Sequence, residues 1–217
     1  MVIFLKILFL LLTYLVASIP FGLIICKAKG IDVRQVGSGN IGATNVKRAL
    51  NIKYSALTFL CDAIKGALFV FLFRYNIIPS TYMVLDPALY GLIAVIGHSF
   101  PIYLKFKGGK SVATGAGFVF AYLPLAIPIA IISYFVILLL TRYVSVGSLG
   151  TAIIILITSI IFAIIGYDPI TNYLVTIYLP IFIGAAVIII FIRHIANIKR
   201  LINGTEAKMK TKKEKDL

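Results

Sequence analysis

VATGAGFVFAYLPLAIPIAIISYFVILLL, residues 112–140, decides the fold. As a single helix rising ~1.5 Å per residue it would be roughly 43 Å long, against a bilayer core of ~30 Å. Pro124 and Pro128 stand in its middle. A proline inside a helix removes a hydrogen bond and clashes with the preceding turn. The stretch is therefore either one tilted, kinked span or two short helices folded as a hairpin. That choice sets the side of the membrane on which everything downstream lies.

The rest of the chain bears on the choice. Its 217 residues are 61% hydrophobic and 13% charged, with a mean hydropathy of +1.06. Soluble domains are about 45–50% apolar. The expectation is an all-α integral membrane protein, one domain over 1–206, with residues 207–217 a Lys-rich, disordered cytoplasmic tail. The apolar run from Val2 to Ile25 far exceeds the roughly 7–15 residues of a signal-peptide core and reads as an uncleaved span. Further spans are expected at 54–73, 86–103, 150–166 and 170–193. Cys26 and Cys61 have neither metal-ligand spacing nor a disulfide framework and read as apolar fillers.

Charge settles the parity. Six Lys or Arg lie in 27–53, three in 104–111 and eight in 193–217, whereas 74–85 holds only Arg74. The positive-inside rule places the three basic stretches in the cytoplasm. Only a hairpin at 112–140 leaves all three on that side. The expectation is seven transmembrane helices, the N-terminus outside, the C-terminus cytoplasmic, and motif-bearing loops on the cytoplasmic face.

Those loops are the polar islands of the sequence. VGSGNIGATNVKRAL (36–50) has eight small or amide residues in the nine positions 37–45. Its glycines permit close backbone approach, and Ser38, Asn40, Thr44 and Asn45 offer neutral hydrogen-bonding groups. Arg48 can grip a phosphate bidentately. Taken alone, the stretch also reads as a turn-rich loop with topogenic Lys and Arg. GHSFPIYLKFKGGKSVATGAG (97–117) ends like a nucleotide P-loop at Gly109-Lys110-Ser111. The first glycine of that motif would fall at Leu104, and no strand precedes it. The physics of an anion site can still apply, with backbone N–H groups of 108–111 at the positive end of a helix, Lys110 adding charge and Thr114 one turn on. His98 reads as a hydrogen-bonded structural residue. SVGSLG (145–150) reads as a small-residue turn whose serines cap the next helix. In RHIANIKRLINGTEAKMK (193–210), His194, Asn197 and Arg200 step by three along one helix face, and Glu206 follows a stop at Asn203-Gly204. An amphipathic tail on anionic headgroups would explain its lysines but not His194, Asn197 or Glu206. Asp62 and Lys65, three apart inside a span, read as a buried pair or as a strut to the loops.

GSGNIGATNVKR, GHSFPIYLKFKGGKSVAT and HIANIKRLINGTE resemble, in order and over essentially the whole chain, the three motifs of the bacterial membrane acyl-phosphate:glycerol-3-phosphate acyltransferases, the PlsY family. Two positions depart from that pattern. Ser111 stands where the family usually has glycine, and Ile195 where it often has arginine. The resemblance implies transfer of an acyl group from acyl phosphate to the 1-hydroxyl of sn-glycerol 3-phosphate. The products would be 1-acylglycerol 3-phosphate (lysophosphatidic acid) and phosphate, the first step of phospholipid biosynthesis. It also implies a multi-pass protein of the bacterial cytoplasmic membrane. On this reading Ser38, Asn45, Arg48 and Lys110 are catalytic. Asn40, Thr44, Gly108, Gly109, Ser111, Thr114, His194, Asn197, Arg200 and Glu206 bind substrate phosphates, and which motif holds which phosphate stays open. No cofactor, metal, nucleic acid or dedicated protein base is expected, and the chain is expected to act as a monomer in the lipid bilayer.

The sequence also argues against rivals. A transporter would line its spans with polar groups and often show repeats. A metal-dependent phosphotransferase would need clustered aspartates.

Overall fold

The computed structural model describes residues 1–209 and is helical, apart from one isolated bridge between Tyr167 and Leu174. The expected tail over 207–217 falls mostly outside the described residues. Within them, the Met209 N–H donates to the Arg142 carbonyl at 2.8 Å. The chain forms two compact units, Met1–Pro124 and one that begins at Leu125.

The first unit holds six helices. Where one span was expected, α1 (Val2–Ala17) and α2 (Phe21–Lys27) meet at a 40° bend and together pass as one broken span. Pro20 sits at that break, where it has no N–H to continue the ladder. α3 (Ala43–Ala49) is a short helix within the first polar loop. α4 (Ile52–Arg74) starts at Asn51, whose side chain accepts from the Lys53 and Tyr54 N–H groups. α5 (Pro87–Ser99) starts at Asp86 with proline in its first turn, a pre-organised helix start. α6 (Val112–Tyr122) ends before Pro124.

Glycines set how closely these helices approach. A Cβ on Gly66 of α4 would collide with the Thr114 carbonyl of α6, and one on Gly117 with the Ala63 carbonyl. Small residues that let backbones meet are the usual means of helix association in lipid, where no hydrophobic force drives helices together. Tyr90, Tyr122 and Phe118 fill the core nearby and are buried.

The second unit holds α7 (Ala126–Thr141), α8 (Val144–Ile165), α9 (Tyr178–Arg193) and α10 (Ile195–Ile202). α8 begins earlier than expected: SVGSLG forms its first turns rather than a connecting turn. The turn lies instead at Arg142, which takes the left-handed conformation. α9 begins later than expected, because Asp168 organises a turn by accepting from the Ile170 N–H and the Thr171 hydroxyl.

Among the described residues, three helices can cross a bilayer by length and composition, or up to five if each bent pair is one span. The apolar side chains these helices leave exposed, such as Ile164 and Leu140 at 80% each, need lipid around them. α6 and α7 are shorter, with 11 and 16 residues. Residues 112–140 thus form two helices separated at Leu123–Leu125, not one kinked helix.

Candidate active site

In the first unit two loops rest on one core. Leu23, Cys26, Val33, Ile41 and Val46 are buried together, and Leu104, from the turn before the second glycine-rich loop, packs against them.

Asn45 builds the first loop. Its Nδ2 donates to the Val33 and Val36 carbonyls at 2.9 and 2.8 Å, and its Oδ1 accepts from the Ser38 N–H at 3.1 Å. The side chain is 2% exposed. Gly37 has φ +55° and lies under the Arg48 stem and the Asn45 amide, where any Cβ would crowd Asn45 Oδ1. Asn40 accepts from the Gly42 N–H at 2.8 Å and so shapes the entry to α3. What the loop presents outward is Ser38, Thr44 and Arg48, all exposed.

The second loop folds back on the end of α5. Gly108 N–H donates to the Ser99 carbonyl at 3.2 Å and Gly109 N–H to the His98 carbonyl at 3.1 Å. These two donors therefore hold the loop in place instead of lining an open anion cradle. Ser111 is left-handed at φ +60°, and its hydroxyl is buried between the Ser99 hydroxyl (2.6 Å) and the Val95 carbonyl (2.9 Å). Those bonds hold a conformation that glycine would take without strain. Thr114 is fully buried. Lys110 is half-buried.

Beneath this loop the pair expected within α4 forms a strut. Lys65 Nζ lies 2.8 Å from Asp62 Oδ1 and donates to the Ile19 carbonyl at 2.7 Å. His98 Nδ1 lies 3.5 Å from the same Asp62 oxygen.

The second unit gathers the third motif around Glu206. Its Oε1 accepts from Asn197 at 2.6 Å and from Ser145 at 2.8 Å, and its Oε2 from Arg200 at 2.7 Å. Burial alone would raise this carboxyl. The three donors and the Arg200 charge outweigh burial and hold it below the usual glutamate range. His194 is buried at the bend between α9 and α10. Its Nδ1 contacts the Ile190 carbonyl at 2.8 Å, an acceptor that requires the proton on Nδ1.

Apart from the fully buried Thr114, the site residues expected from sequence fall into three groups. Ser38, Thr44, Arg48 and Lys110 present groups at the first unit's loops. Asn40, Asn45, Gly108, Gly109 and Ser111 build those loops. Asn197, Arg200 and Glu206 converge in the second unit, and His194 lies at the α9–α10 bend with its Nδ1 on the Ile190 carbonyl. Sequence reasoning missed Ser99 as the partner of Ser111, Ser145 as a donor to Glu206 and the tie from Asp62 to His98. Ser99 and His98 both stood inside the quoted motif, and Ser145 differed from an ordinary capping serine only through its distant partner.

Five of the seven acids lie among the described residues, and each is engaged. Asp32 is paired with Arg34 at 2.6 Å, and the Arg34 side chain and N–H pull it down to about 2. Asp86 caps α5, Asp168 organises its turn, and Asp62 and Glu206 have the partners above. Glu214 and Asp216 lie outside the described residues. Among the described residues no three His, Cys, Asp or Glu side chains are placed to hold a metal ion. The arrangement offers cations and hydroxyls for an anionic substrate.

Comparison with known proteins agrees. A family model described as glycerol-3-phosphate acyltransferase matches residues 7–204. The glycerol-3-phosphate acyltransferase of Bacillus velezensis is 42% identical over 204 residues, covering 94% of this chain and 97% of that one. The crystal structure of PlsY (YgiH), an integral membrane glycerol 3-phosphate acyltransferase, in its glycerol 3-phosphate form superposes with a TM-score of 0.81 at 34% identity, covering 95% of this chain and 96% of that one. Its lysophosphatidic acid form gives 0.79 at 33% identity, with the same coverage of 95% and 96%. Matched from its first span to its third motif, this chain belongs to the PlsY family of membrane glycerol-3-phosphate acyltransferases and is a multi-pass acyltransferase.

Proposed function

We propose that the donor is acyl phosphate and that the acyl group passes to the 1-hydroxyl of sn-glycerol 3-phosphate, giving 1-acylglycerol 3-phosphate and inorganic phosphate. The observation that carries the reading is the contrast between presented donors and engaged carboxylates. Ser38, Thr44 and Arg48 are exposed, whereas every described acid already has partners. Such a site is equipped to bind anions and to stabilise charge, and poorly equipped for general-base catalysis.

Acyl phosphate suits that equipment because phosphate is already a good leaving group. The glycerol oxygen attacks the acyl carbon, and the bond from that carbon to the phosphate oxygen breaks. The hydroxyl proton ends on the departing phosphate, so no protein base is required. Arg48 and Lys110 offset the charge of the phosphates, and Ser38 and Thr44 supply neutral donors for a phosphate or the oxyanion. Asn45 and Asn40 hold Ser38 and Thr44 in place, and Gly108, Gly109, Ser111 and Thr114 form the seat of Lys110. Asn197 and Arg200, held by Glu206, serve the glycerol 3-phosphate together with His194.

The chain acts as a monomer in the bacterial cytoplasmic membrane, with seven spans, the N-terminus outside and the C-terminus cytoplasmic. The break at Leu123–Leu125 and the basic excess of residues 27–53, 104–111 and 193–217 support that count.

Donor choice tests the reaction. Purified protein in lipid, given glycerol 3-phosphate, is expected to turn over with palmitoyl phosphate and not with palmitoyl-CoA. Lys110→Ala and Arg48→Ala should each lower kcat/KM by about a hundredfold, the usual scale for removing a charge-stabilising donor. Equal rates with palmitoyl-CoA, or near-normal turnover by Lys110→Ala at wild-type expression, would overturn the reading.

A further inference from the structure

Asp62, Lys65 and His98 are 2%, 3% and 5% exposed. Lys65 neutralises Asp62 and also reaches the Ile19 carbonyl at the α1–α2 break, with Phe21 beside its ammonium at 5.6 Å from the ring centroid. Charge balance alone would be complete with that pair. Yet the same Asp62 oxygen also faces His98 Nδ1 at 3.5 Å. The far edge of the ring, Nε2, lies against Gly109, so closely that a Cβ there would collide with it. The His98 carbonyl meanwhile takes the Gly109 N–H. The imidazole is wedged between a buried carboxylate and the residue that precedes Lys110. Gly109 is thus held by its N–H bond to the His98 carbonyl on one side and walled by the His98 ring on the other.

We propose that Asp62 is a positioning residue for acyl transfer. By orienting the His98 ring it sets Gly109 and hence the Lys110 ammonium. This rests on the reading that Lys110 holds a substrate phosphate. Buried ion pairs contribute little net stability compared with well-packed apolar residues, which makes a positioning part the better account of this one.

The test uses the full-length protein in lipid and four variants: Asp62→Asn, His98→Ala, their combination, and Asp62→Asn with Lys65→Met. Turnover, the inhibition constant of inorganic phosphate and thermal stability are measured for each. Asp62→Asn and His98→Ala should each lower kcat/KM at least tenfold and weaken phosphate inhibition. Their combination should be no worse than His98→Ala alone, since both act through one ring. Asp62→Asn with Lys65→Met removes the stranded ammonium, and it should regain thermal stability without regaining kcat/KM. Additive losses in the combination, or recovery of kcat/KM together with stability in the charge-neutral pair, would overturn the proposal. Lys110→Ala separates the two readings: an inactive Lys110→Ala beside additive Asp62 and His98 effects defeats the positioning part alone, whereas an active one removes the phosphate reading beneath it.

Discussion

Asn45 shows how much a single amide does in this protein. Its three hydrogen bonds close the first loop from both sides. Asn45→Ala should destabilise the protein by about 1–3 kcal/mol, the scale for leaving buried partners unsatisfied. Asn45→Asp should be worse, because a carboxylate would face the Val33 and Val36 carbonyls where the amide now donates. Thermal unfolding in detergent orders the two. A catalytic asparagine acting only on the substrate would leave stability unchanged in both. Glu206 carries a pH signature. Its carboxyl titrates below the ordinary value of about 4.3. Its contribution is therefore fully present above that value and is lost as pH falls through the lowered one. Wild-type protein should lose thermal stability relative to Glu206→Gln on acidification through that window, and parallel curves would refute the cluster. The sequence named the polar residues of both loop clusters but not which of them turn inward. Asn45 and Ser38 look alike as polar loop residues, and only the fold turns one inward. Ser111 likewise reads as an anion ligand until Ser99 and Val95 claim its hydroxyl.

Among the elements, α4 and α6 are the most demanding. Gly66 and Gly117 permit backbone contact that any larger residue would block. Gly66→Leu or Gly117→Leu should cost about 3 kcal/mol, the upper range for overpacking, because backbone cannot move aside as a side chain can. The measurement is the yield of monodisperse protein and its unfolding temperature, and wild-type behaviour would mean the helices can part freely. The prolines made the break between α6 and α7 legible in sequence, and apolar length revealed α4 and α5. The ends of α8 and α9 were not legible. Small residues at 145–150 suit a helix start as well as a turn, and Asp168 acts through local hydrogen bonds that hydropathy does not register.

At the scale of the whole molecule, charge asymmetry and function meet. The basic stretches that orient a membrane protein are the same ones that carry its phosphate-suited loops. Cysteines placed singly after Ile202 and at residue 77, in a chain freed of Cys26 and Cys61, should be labelled by impermeant reagents from opposite sides, the first only from the cytoplasm. Labelling of both from one side would break the seven-span arrangement. Overall helicity and the membrane class followed from composition, and the family followed from three motifs. The two compact units did not, since nothing in the hydropathy distinguishes the helices before Pro124 from those after it.

The most direct test of the proposed reaction follows both products at once. Purified protein in lipid, with palmitoyl phosphate, glycerol 3-phosphate and no added metal, should release phosphate and form 1-palmitoylglycerol 3-phosphate in equal amounts. Phosphate release that does not depend on glycerol 3-phosphate, or acylation without matching phosphate, would contradict it.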